Sequence, residues 1–221
     1  MQNRDLIVKK HLQNGVLIVD PHSVWIDPSV HIAAGVVIHP NNTILGDTEI
    51  AEGVVLEPNN QIENSVIGAR VRINSSVVRD SAIASDTAVG PFAYIRGRSL
   101  IGKRCRIGNF VELKNAELGE GVKVAHLSYI GDATVGEHTN VGCGVVFCNY
   151  DGKNKYHTFV GKRCFIGSNC NLIAPLRIGD GSFLAAGTTV HKDVEEGRFV
   201  IGRMRQEENA FLAEKYLGRK N

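Results

Sequence analysis

Aliphatic residues recur along this chain with a period of six. They fall at Ile26, Ile32, Ile38, Ile44, Ile50, Leu56 and Ile62. The register slips by one, resumes at Ile67 and Ile73, breaks once, and returns at Ile83, Val89, Ile95, Ile101, Ile107 and Leu113. A second slip gives Leu118, Val124 and Ile130, and a third gives Val135, Val141 and Phe147. After an insertion the pattern runs through Val160, Ile166, Leu172, Ile178, Leu184 and Val190. Glycine often follows the aliphatic, as at Ile107-Gly108, Ile130-Gly131 and Ile166-Gly167. Such a stripe would rotate around an α-helix, whose turn holds 3.6 residues. A short strand followed by a turn accommodates it. Three hexads then make a triangular coil of roughly 18 residues, with coils stacked at about 4.8 Å. The aliphatics fill the prism, and a small residue four places on (Thr87, Cys105, Cys164, Cys170, Ser182) fits beside them. The period does not set the hand of the coil, and parallel crossovers are normally right-handed.

End coils leave backbone groups unpaired and need covers. Residues 1–15 are expected to form a helical arm, with Val8 and Leu12 at i, i+4 spacing and Gly15 ending it. The prism is expected over 16–203. A helical tail is expected over 204–221, with Ala210, Ala213 and Leu217 at helical spacing.

The chain has 221 residues, enough for one core. Lys+Arg 25 against Asp+Glu 23 gives no reason to expect nucleic acid or an anionic membrane as partner. No stretch approaches the ~18 apolar residues of a membrane span, and Met1 to Lys10 lacks the apolar run of a signal peptide. Five cysteines, Cys105, Cys143, Cys148, Cys164 and Cys170, form no Cys-x-x-Cys pair. They signal neither a disulfide framework nor a zinc site, and free thiols suit the cytoplasm.

Loops ejected from a rigid coil are free to carry polar chemistry. The largest interruption is Cys148 to His157: thirteen residues separate Phe147 from Val160, as if a middle hexad lacked its aliphatic. A plain surface loop with Asp-Gly turn chemistry explains it equally well. A second anomaly is His126, two residues after the repeat aliphatic Val124, at or beside a coil corner. Lone histidines are more often structural than catalytic. A third is the pair Arg96 and Lys114, 18 residues apart and so one coil apart on the same face. They can converge on one anion; a solvated basic ladder would look the same.

Five runs carry a resemblance. They are Gly90-Pro91-Phe92-Ala93-Tyr94-Ile95-Arg96, Gly108-Asn109-Phe110-Val111-Glu112-Leu113-Lys114, His126-Leu127-Ser128-Tyr129-Ile130-Gly131-Asp132, Cys148-Asn149-Tyr150-Asp151-Gly152 and Ala185-Ala186-Gly187-Thr188-Thr189-Val190. With them, Val89 to Val194 resembles the acetyltransferase domain of the bifunctional N-acetylglucosamine-1-phosphate uridyltransferase/glucosamine-1-phosphate acetyltransferase family, within the hexapeptide-repeat acyltransferases. The resemblance implies a left-handed β-helix. It implies acetyl transfer from acetyl-CoA to glucosamine-1-phosphate on the way to UDP-GlcNAc and cell-wall precursors, without a metal. It further implies a cytoplasmic homotrimer with active sites between prisms. His126 matches the family's proton acceptor. Arg96 and Lys114 match its sugar-phosphate ligands, Tyr129 and Asn140 its sugar ligands, and Lys155 a lysine reaching toward the phosphate. Asn149, Tyr150, Ser168, Ala186 and Arg203 match positions that hold acetyl-CoA, and Cys143 stands where the family usually has a small residue in that role.

Departures from the family are Gly97, Ala125 before the histidine, and Cys143. No Gly-x-Gly-x-x-Arg-like segment is present, so only the acetyl step is expected. Three other readings compete. A γ-type carbonic anhydrase needs two histidines five residues apart, and none of the eight here are so spaced. A non-catalytic scaffold conflicts with the joint presence of His126, Arg96, Lys114, Tyr129 and Asn149. A different amino-sugar phosphate as acceptor remains compatible with the sequence.

Overall fold

The computed structural model describes residues 2–209 and 212–218. The repeat aliphatics line the inside of a triangular prism, a left-handed parallel β-helix of about ten turns. Its first face carries eleven strands, from Leu17–Ile18 to Phe199–Val200. The second and third faces are joined into one seventeen-stranded sheet. They are joined because two seven-residue strands, Glu112–Leu118 and Tyr129–Val135, bend through the corner between them without a break.

The slips in the sequence are these tight corners. A six-residue step places a small side chain four residues after the aliphatic, as at Thr87, Cys105, Cys164, Cys170 and Ser182, all buried. A five-residue step moves it to the third place: Ser65 after Ile62, Ser81 after Val78, Ala116 after Leu113, Ala133 after Ile130. The single break after Ile73 is two successive five-residue steps, with Val78 as the buried aliphatic between them. At six-residue corners the small side chain also satisfies backbone. Asn60 Nδ2 donates to Glu57 O at 2.6 Å and Ile73 O at 3.1 Å. Cys164 Sγ reaches Gly179 O at 3.2 Å. Buried backbone groups require such partners, so Cys105, Cys164 and Cys170 behave as corner residues with their thiol pKa values pushed up by burial.

The N-terminal arm is a helix, Gln2–Gln13, followed by Gly15 in a left-handed conformation (φ 85°). Its packed face differs from expectation. Val8 is buried, but Leu12 faces solvent, and His11 takes the buried place. Arg4 fixes the helix by donating to the carbonyls of Val24 and Pro21. These contacts set the helix rotation, which i, i+4 spacing alone left open. Among the described residues of the tail, Leu212–Leu217 is helical, with Leu212, Tyr216 and Leu217 exposed. Residues 201–209 are not regular structure, and Ala210 lies outside the described residues. No helix among the described residues is long and apolar enough to cross a membrane.

Candidate active site

Two groups of side chains flank the second face. The first is a column along the edge between the first and second faces. Asn109 and His126 are register partners on adjacent coils, and Asn109 Oδ1 lies 2.7 Å from His126 Nδ1. A carbonyl oxygen only accepts, so this contact assigns the ring proton to Nδ1 and leaves the Nε2 lone pair exposed. Cys143, Ser168 and Ala186 continue the edge, each two residues past a first-face aliphatic in register with Val124: Val141, Ile166 and Leu184. Arg203 folds back onto it, donating from Nη1 to Ala186 O at 2.7 Å. The coils approach closely here. A Cβ at Gly142 would sit 2.7 Å from Ser168 N, and one at Gly167 would sit 2.5 Å from Ala186 N. Asn140 stands on the first face, between Lys123 and Phe165 in its column.

The second group lies on the second face and its far edge. Arg96 and Lys114 are register partners, as their spacing predicts. Arg96 stacks over the Tyr94 ring at 5.2 Å and pairs with Glu112 at 2.5 Å. The interruption at Cys148 turns out to be one seven-residue extension of a corner rather than a coil rung lacking its aliphatic. Phe147 and Val160 occupy successive faces, and Thr158 is the buried corner residue. The loop is a tight hairpin. Tyr150 and Lys155 form an antiparallel bridge, Asp151 Oδ1 accepts from the Lys153 and Asn154 amides at 2.8 and 2.6 Å, and Tyr150 Oη donates to Gly152 O at 2.6 Å. The hairpin returns Lys155 beside Lys114, and this like-charged neighbour is the main cause lowering the Lys114 pKa. Two ammonium groups and a guanidinium on adjoining elements make a site that favours an anion.

Asn149 is buried and donates from Nδ2 to Asp132. Asp132 also accepts from Asn115 Nδ2 at 2.7 Å. Burial opposes ionisation of Asp132, but the two amides together with Lys114 and Lys155 hold its pKa below the ordinary aspartate value. The Tyr129 ring lies over Gly131, where a Cβ would meet its hydroxyl at 2.2 Å, and reaches Asn149. Burial raises the Tyr129 pKa, so the hydroxyl stays protonated.

Sequence reasoning did not assign roles to Asn109, Glu112, Asn115 or Asp132. Coil arithmetic was the available signal: Asn109 precedes His126 by 17 residues, one coil containing one five-residue step. The structure brings Arg96, Lys114, Tyr129, Asn149 and Lys155 together. It sets His126 at the opposite edge of the same face, six residues of chain before Asp132. No group of three or more His, Cys, Asp or Glu among the described residues is arranged to hold a metal ion.

Residues 157–192 match the bacterial transferase hexapeptide (six repeats) family. A bifunctional protein GlmU from Clostridium perfringens is 51% identical over 207 residues, 94% of this chain and 45% of that protein. One from Alkaliphilus metalliredigens is 42% identical over all 221 residues, covering 48% of that protein. The chain is a homologue of GlmU proteins and carries the bacterial transferase hexapeptide repeat over residues 157–192. It spans about half the length of these curated relatives. Among solved structures, the UDP-N-acetylglucosamine acyltransferase of Francisella novicida shares the fold, with a TM-score of 0.58 and 19% identity over 91% of this chain and 74% of that one.

Proposed function

We propose that this hexapeptide transferase moves an acetyl group from acetyl-CoA to the amine of glucosamine-1-phosphate. The observation that carries the reading is the convergence of Arg96, Lys114 and Lys155 on a face whose edge presents His126 with Nε2 free. A phosphate monoester answers the three cations, since a guanidinium fork and two ammonium groups match its oxygens. Tyr129 and Asn140 are the sugar ligands. Holding the sugar by its phosphate aims its amine, a positioning effect.

His126 Nε2 takes the proton as the amine nitrogen forms a bond to the thioester carbon, and the carbon–sulfur bond breaks to release the CoA thiol. General-base help of this kind contributes about 10²–10⁴-fold. The edge fits acetyl-CoA by its chemistry. Cys143, Ser168 and Ala186 are short side chains over closely stacked coils, and the Arg203 guanidinium suits a phosphate of the cofactor. Asn149 and Tyr150 stand at the far edge of the second face, so in this reading they meet the cofactor from a neighbouring copy.

The functional unit in this reading is a homotrimer. His126 and the cation cluster occupy opposite edges of one face, so an edge from one copy docking on the second face of another joins base and anion site. The exposed ladder Phe165–Phe183–Phe199, with ring centroids 4.7 and 5.3 Å apart, borders the His126 edge and suits burial against such a neighbour. Acetyl-CoA consumption by the purified protein across a panel of amino-sugar 1-phosphates tests the proposal. Glucosamine-1-phosphate is expected to be the preferred acceptor. Turnover with none of the panel would reject the activity.

A further inference from the structure

Asp132 lies where the two working parts of the cluster meet. Its backbone is left-handed (φ 48°), at the edge where the preceding coil presents Asn115 and the following one ejects the hairpin. One carboxylate oxygen is held by Asn115, the other by Asn149. The charged groups that face it are Lys114 from the coil before and Lys155 from the hairpin. Lys114 is faced by Lys155, Asp132 and Arg96. Glu112 is committed to Arg96 by an ion pair, leaving Asp132 as the carboxylate that opposes the repulsion between the two lysines.

We infer that Asp132 is a positioning residue for this site: it orients Asn149 and supplies the counter-charge that holds Lys114 and Lys155 side by side to receive a phosphate. The inference rests on the acetyltransferase reading above. A dianionic phosphate is bound by charged lysines, so the pH at which Lys114 loses its proton limits binding on the alkaline side. An adjacent carboxylate raises that limit. The neutral amide of asparagine removes the charge, keeps a side chain of the same shape, and tolerates a left-handed backbone.

The test compares wild type with Asp132→Asn. For the variant, KM for glucosamine-1-phosphate is expected to rise about tenfold at pH 8, the size expected for losing one charged interaction. The alkaline limb of kcat/KM should move to lower pH, and KM for acetyl-CoA should change less than KM for the sugar phosphate. NMR titration of Lys114 in the protein without substrate should show its pKa lower in the variant than in wild type. Asp132→Glu, which keeps the charge, should recover most of the alkaline limb. An unmoved limb and an unmoved Lys114 titration in a folded Asp132→Asn protein would overturn the inference. Absence of turnover by wild type would instead overturn the acetyltransferase reading, and the Lys114 titration would still decide the role of Asp132.

Discussion

The pairing of His126 with Asn109 determines which ring nitrogen is available for chemistry. With Nδ1 committed to the amide oxygen, Nε2 is left as the acceptor. Asn109→Ala removes that tether without touching the proposed base. Its expected outcome is a fall in kcat of about tenfold, the scale of one hydrogen bond to an ionising group, with KM for both substrates little changed. Steady-state kinetics check it, and a variant with unaltered kcat would show that the tautomer is set otherwise. Of the site, the polar residues standing on regular rungs were the legible part. Arg96 and Lys114 were placed together by an 18-residue spacing, and the structure makes them register partners. Asp132 and Asn149 stand 17 residues apart, the same one-coil offset as Asn109 and His126, so coil arithmetic carried that pair too. The return of Lys155 to Lys114 was not legible, because it depends on the folded path of the hairpin after Asn149.

At the scale of elements, nearly all of the prism was written in the aliphatic period, because each rung buries one branched side chain and one small one. The N-terminal helix shows where periodicity ends. Its position was predictable, but its buried face depends on Arg4 finding corner carbonyls and on His11 entering the core. That histidine makes the cap pH-sensitive. Burial first, then Lys10 and His31, lowers the His11 pKa below 6.5. The docked helix therefore favours the neutral ring. Its docking is unaffected by pH well above 6.5 and weakens as pH falls through 6.5, where the undocked state takes up the proton first. Amide exchange in Gln2–Gln13 is expected to speed up relative to the prism between pH 7.5 and 5.5. His11→Leu should remove the dependence; an exchange ratio equally pH-dependent in that variant would assign the effect elsewhere.

At the scale of the whole molecule, a β-helix is a rigid rod whose edges and faces are each regular and one-dimensional. In the proposed reading, chemistry needing convergent groups is built where rods meet, with His126 on an exposed edge and the cations on an exposed face. Mixed oligomers test this sharing. Co-expressed His126→Ala and Lys114→Ala chains, each inactive alone, should form some sites with an intact edge opposite an intact face and regain measurable turnover. Activity no higher than that of either variant alone would place both groups in one chain's site. The most direct measurement is product formation from acetyl-CoA and glucosamine-1-phosphate by wild type and by His126→Ala at equal concentration. The account predicts N-acetylglucosamine-1-phosphate from wild type and a loss of about 10²–10⁴-fold in kcat for the variant, with the same oligomer by sedimentation. Undiminished turnover in His126→Ala would contradict it.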